Sequence, residues 1–197
     1  MCENFSVDST SFTSSVKITD YLFNELQPVL ESNRPIIFFC IGTDRSTGDA
    51  LGPLIGYKLR YLSKNNFYIY GTLENPIHAK NIDHILHEVK SKFQNPYIIA
   101  IDSCLGSINN IGKIFIQKKA LIPGLALNKD LCPVGEMSIT GIVNVSGSFE
   151  FLVLQNTRLN TVMNLADSIS KGIYYFIIKS LYKNNDNRYL YNKTAKR

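Results

Sequence analysis

Two aspartates stand where apolar runs meet polar loops. Asp49 lies in Ile41-Gly-Thr-Asp-Arg-Ser-Thr-Gly-Asp-Ala-Leu-Gly-Pro53, and Asp102 follows the run Tyr97-Ile-Ile-Ala-Ile101. Two neighbouring carboxylates repel when both are ionised, so one holds a proton near neutral pH and the pair titrates as a unit. The ionised member can then take a proton from water while the protonated member polarises a carbonyl, the division of roles found in aspartic proteases. A helix opening near Pro53 aims its positive end back at this loop and favours the charged form of Asp49. Taken singly, Asp49 reads as a helix cap and Asp102 as an acceptor for loop amides. The pair, at two strand ends, reads as an active centre.

The other reactive side chains form weaker patterns. Gly42 to Gly48 is Gly-rich, but a P-loop needs G-x-x-x-x-G-K-[ST]; here the spacing is one longer and Asp49 stands where the lysine belongs. A carboxylate there repels phosphate, so the loop reads as the shaper of an acid site rather than a nucleotide cradle. Arg45 can grip a substrate carboxylate or pair with Asp44. His84 and His87 sit three apart with His78 upstream, yet a third ligand is missing, so they read as surface histidines and no metal is expected. Cys104 has no histidine placed as its base and reads as a bystander thiol. Ser103 lacks the G-x-S-x-G elbow and reads as a turn residue.

Positioning these groups is the work of alternating elements. Pro35 to Ile41 is a continuous apolar run, the habit of a strand buried on both faces of a parallel sheet. Helix follows over 53–63, strand over 67–72, helix over 79–93 and strand over 97–102. That order predicts right-handed crossovers and a mostly parallel sheet covered by helices on both faces, a three-layer α/β/α sandwich. Asp20 to Glu31 reads as an earlier helix kinked at Pro28. Later come a strand over 112–118, a long loop over 120–136, a strand over 138–145 and a helix over 156–182. Residues 1–16, polar and rich in Ser and Thr, read as a disordered leader, 17–185 as one domain, and 186–197 as a basic tail. Ligands of such sheets bind beyond the carboxyl ends of the strands, where both aspartates are expected.

Composition narrows the class further. The chain has 197 residues, 45% of them hydrophobic, enough for one substantial core. Its net charge is +5, and much of the excess lies after Asn187. No nucleic-acid motif is visible and the aromatics occupy core positions, so a nucleic-acid partner is not expected. No secretory signal or membrane-length apolar run appears, and four scattered cysteines suit a reducing cytosol.

Several segments together carry a family resemblance. Gly42-Thr-Asp-Arg-Ser-Thr-Gly-Asp49-Ala-Leu-Gly-Pro53 and Ile99-Ala-Ile-Asp102-Ser-Cys104 are the first two. Pro123-Gly124, Pro133-Val-Gly135, Ser138-Ile-Thr-Gly-Ile-Val-Asn144 and Leu154-Gln-Asn-Thr-Arg-Leu159 follow. The set resembles the YyaC-type sporulation proteins of endospore-forming bacteria. These are similar to the germination protease that degrades small acid-soluble spore proteins, and more distantly to hydrogenase-maturation endopeptidases. The resemblance implies a hydrogenase-maturation-protease-like (phosphorylase/hydrolase-like) fold with Asp49 and Asp102 as catalytic residues. Thr43, Asp44, Arg45, Ser103, Gly135 and Arg158 become the expected substrate contacts. The hydrogenase-maturation enzymes carry Glu at the position of Asp49 and complete a nickel-sensing site with a late histidine. This chain has no histidine after His87, so no cofactor is expected. The implied function is a sporulation endopeptidase of the forespore or spore core acting on a protein or peptide substrate. The alternative is a non-catalytic spore protein that binds a peptide or partner on the same fold.

Overall fold

The computed structural model describes residues 5–123 and 132–194, with side chains through residue 183. Residues 1–4, residues 124–131 of the expected loop, and the side chains of the basic tail lie outside these. Strand β1 spans Phe5–Asp8, β2 Ile36–Cys40, β3 Phe67–Tyr70, β4 Tyr97–Gly106, β5 Lys113–Gln117 and β6 Met137–Val145. Helix α1 spans Ser14–Glu25, α2 Gln27–Glu31, α3 Leu51–Leu59, α4 Ile82–Lys92, α5 Glu150–Gln155 and α6 Leu159–Thr194. The described strands form one sheet in the order β1-β5-β6-β4-β2-β3. β3, β2, β4 and β6 run parallel, and β5 and β1 add an antiparallel edge.

The central strands explain their own position. Every residue of β2 is buried, so each face of the sheet must be covered. Ile36, Phe38 and Cys40 join Ile99 and Ile101 in a core with Ile18 and Leu22 of α1, Leu51 and Ile55 of α3, and Val162, Leu165, Ile169 and Ile173 of α6. Ile37, Phe39 and Ile41 join Ile98 and Ala100 in a second core with Ile82, Leu86 and Val89 of α4, and with Leu121 and Val134. These two cores make the three-layer α/β/α sandwich expected from the sequence. No helix among the described residues is long and apolar enough to cross a membrane.

Two elements differ from the sequence reading. Pro28 does not kink one helix; it opens a second one, in the first turn of α2, where its missing N–H costs nothing. The supposed leader contains β1 and the start of α1. A short period-two pattern is hidden in its polar composition: Val7 is buried and Phe5 half-buried, while Ser6 and Asp8 face solvent. Phe5 packs on Tyr21 of α1 with ring centroids 4.5 Å apart. The Asp8 carboxylate then accepts the Thr10 amide at 2.8 Å and turns the chain toward α1. Deleting residues 1–8 therefore lowers stability by about 2–4 kcal/mol, the burial of one and a half large side chains. A urea midpoint equal to that of the full chain would show that β1 carries no stability.

Candidate active site

The site is built where β2 stops and β4 continues. Cys40 pairs with Ile101 in the last β2–β4 position, and the Ile41 amide still donates to the Ile101 carbonyl at 2.7 Å. Asp102 comes next. The sequence placed it at a strand end; instead β4 runs on to Gly106, held by β6 alone, with Asp102 opposite Thr140. On its β2 side Asp102 faces a turn rather than a strand. The crossover from β2 goes outward to β3, and that from β3 returns past β2 to β4. The gap between β2 and β4 is therefore the point where strand order reverses, the usual ligand crevice of open α/β sheets.

The turn that fills this gap is closed by backbone contacts. The Thr43 amide donates to the Asp49 carbonyl at 3.0 Å, and the Asp49 amide donates to Ser46 at 3.1 Å. Gly42 has φ +143°, and a Cβ there would lie 2.1 Å from the Asp49 carbonyl oxygen, so only glycine lets the turn fold over the end of β2. A Cβ at Gly48 would lie 3.0 Å from the Leu154 backbone of α5. Asp49 lies in a 3-10 turn over Gly48–Ala50, just ahead of α3. Ala50 occupies the α3 cap position and no side chain caps it. Asp49 is thus not a helix cap, and its carboxyl is left to the crevice.

The electrostatics separate the two carboxyls. Burial pushes Asp102 up to about 8, the nearby Asp49 charge adds to the rise, and the Ser103 amide, donating to Asp102 Oδ1 at 2.7 Å, opposes it. Asp49 is also raised by burial. It stands at the positive end of α3, which works toward its charged form. The buried Ser46 hydroxyl faces Asp49 and favours ionisation, though it has no partner at ordinary hydrogen-bond distance. Sequence reasoning passed over Ser46; its place three residues before Asp49 is the available signal. The sheet alternation that puts Ile98 and Ala100 on the α4 side also puts Asp102 and Cys104 there. Burial and the Asp102 charge push the Cys104 thiol up to about 12, which leaves it without a thiolate for nucleophilic attack.

The expected contact residues divide. The Ser103 amide donates to the Asp102 carboxyl, while the Thr43 amide closes the turn on the Asp49 backbone carbonyl. Asp44 and Arg45 are exposed at the tip of the same turn, where the Arg45 amide donates to Thr43 Oγ1 at 3.3 Å. Arg158 is exposed just before α6, whose early turns border Leu51 through Leu165. Gly135 is elsewhere. It has φ +82° and packs on the Ile98 carbonyl near the amino end of β4, so its role is to let the chain enter β6. His84 and His87 are exposed on α4, as expected. Among the described residues no three His, Cys, Asp or Glu side chains are grouped to hold a metal ion.

A family model described as a protein of unknown function, DUF1256, matches residues 7–172. The chain belongs to this family. A relative, the uncharacterized protein YyaC of Bacillus subtilis (strain 168), is 42% identical over 175 residues, covering 82% of this chain and 85% of the relative. Among solved structures, the [NiFe] hydrogenase maturation protease HycI from Thermococcus kodakarensis KOD1 superposes with a TM-score of 0.51 at 17% identity. The match covers 79% of this chain and 99% of that one. At that identity the likeness establishes the fold alone: this DUF1256 chain has the architecture of the maturation protease.

Proposed function

We propose that the protein is an endopeptidase-like hydrolase of the germination-protease type that uses Asp49 and Asp102 to activate water. The observation that carries this reading is the convergence of both carboxyls on the strand-order reversal, where burial pushes Asp102 up to about 8 and Asp49 stands at a helix start that favours its anion. Asp49 takes a proton from water as the oxygen attacks the scissile carbonyl carbon. Asp102 donates a hydrogen bond to the carbonyl oxygen and stabilises the developing negative charge. Collapse of the tetrahedral intermediate breaks the C–N bond, and the proton held by Asp49 passes to the leaving amine.

The relative from a spore-forming Bacillus and the germination-protease resemblance support a spore substrate, with small acid-soluble spore proteins as the first candidates, met in the forespore or spore core. The test is digestion of those proteins, and of a whole forespore extract, by wild type, Asp49→Asn and Asp102→Asn. Discrete cleavage by wild type that falls at least about a hundredfold in each variant is expected. A folded wild-type protein that cleaves nothing in either preparation points instead to a non-catalytic peptide-binding protein on the same fold.

A further inference from the structure

A cleft of about 560 Å³ opens beyond the carboxyl end of β3, between the loop that follows this strand and α4. Tyr70, Ile77 and Ile85 supply apolar walls, and Glu74, Glu88 and His78 supply polar ones. The cleft is preformed. Asn81 fastens its loop, accepting the His78 amide at 2.8 Å and donating to the Pro76 carbonyl at 3.0 Å. Thr72 and Asn75 tie the other end, the Thr72 amide donating to the Asn75 carbonyl at 3.1 Å and the Asn75 amide to Thr72 Oγ1 at 3.2 Å.

Ile77 joins this cleft to the catalytic turn. It bridges Ile41, and its carbonyl accepts the Gly42 amide at 2.7 Å. The cleft lies on the α4 side of the sheet, the side to which Asp102 points. Two strand spacings separate β4 from β3, roughly 10 Å, which an extended polypeptide covers in about three residues.

The only formal charges in the lining are the carboxylates of Glu74 and Glu88, with His78 beside them. Glu74 and Glu88 form no ion pair among the described residues. A long basic side chain matches both features: its methylenes lie along apolar walls while its charged head reaches carboxylates at the mouth. We propose that this cleft is a subsite for a lysine or arginine side chain of the bound polypeptide, about three residues from the bond held at Asp49 and Asp102. The proposal rests on the peptide-substrate reading above.

Binding, measured apart from cleavage, tests it. The probes are alanine heptapeptides carrying one lysine at each position in turn, with norleucine at the same positions as uncharged controls, titrated into the full chain by calorimetry. The expected result is one lysine position that binds roughly tenfold tighter than its norleucine control, falling to near parity in Glu74→Gln/Glu88→Gln. Both glutamates are exposed, so the double variant folds, and an unchanged urea midpoint verifies this. Equal binding of lysine and norleucine peptides, or a lysine preference that survives the double substitution, overturns the subsite while leaving the hydrolase reading to the digestion. Absence of binding by every peptide overturns the subsite and leaves the hydrolase reading to the digestion. A lysine preference without cleavage keeps the subsite and removes the hydrolase.

Discussion

Asp102→Asn unfolds at a higher urea concentration than wild type at pH 8, and at nearly the same concentration at pH 4. The sign follows from proton binding. Asp102 has a folded pKa of about 8 against an ordinary 3.8 in the unfolded chain. Between those values the native state holds a proton that the unfolded state has released, so wild-type stability falls as pH rises through the window. The loss has an upper limit of about 1.4 kcal/mol per pH unit. It ends near pH 8, above which both states are ionised. Asparagine has no such proton and removes this slope. Urea melts at intervals of one pH unit measure it directly; parallel wild-type and variant profiles would mean that Asp102 titrates normally. The same proton governs the proposed hydrolysis, which declines as pH passes about 8 because Asp102 can no longer donate to the carbonyl oxygen. Asp49→Asn removes the neighbouring charge that helps to raise Asp102, so in that variant the stability loss ends at a lower pH.

Gly52→Ala costs about 3 kcal/mol, the upper end of the range for overpacked sites. A Cβ at Gly52 would lie 2.0 Å from the Ile41 carbonyl oxygen and 2.7 Å from the Ile41 nitrogen. These are backbone atoms at the end of β2, pinned by β4 on one side and by Ile77 on the other, and they cannot turn aside as a side chain can. Helix α3 must therefore back away from the sheet, taking Asp49 with it. Gly147→Ala is the control, since nothing lies within 4 Å of the added carbon. Urea denaturation of the two variants should separate them clearly; a Gly52→Ala midpoint matching that of Gly147→Ala would show that α3 shifts at little cost.

The parts of this fold that were legible in the sequence are those in which burial alone dictates pattern. The continuous apolar runs of β2 and of early β4 announce parallel strands, and the spacing of Val162, Ala166, Ile169 and Ile173 announces the buried stripe of α6. From these the three layers follow, and with them the sheet end at which Asp49 and Asp102 lie. Less legible was anything decided by a distant partner. Asp102 reads as a strand end because its apolar run stops there; that β4 continues depends on pairing with Thr140 to Val145 of β6, which sequence spacing does not reveal. Gly135 sits in a motif with Pro133, yet its position beside Ile98 is fixed by where β6 enters the sheet. The polar lining at Glu74 and Glu88 brings together a loop and a helix fourteen residues apart, and neither residue is distinctive alone.

Strand β1 has a consequence for the order of assembly. Phe5 pairs with Ile116, and β5 in turn pairs with β6, so the sheet edge made by β1 cannot close until most of the chain exists. At about 5–20 residues per second, synthesis of the intervening 110 or so residues takes roughly 5–20 s. Throughout that interval the β1 segment waits on the nascent chain without its strand partner, while β2, β3 and β4 can already associate. Closure of the β1 edge is thus a late folding event that waits on distant sequence. The slow step of refolding should report docking of this first strand against β5 rather than formation of the parallel centre.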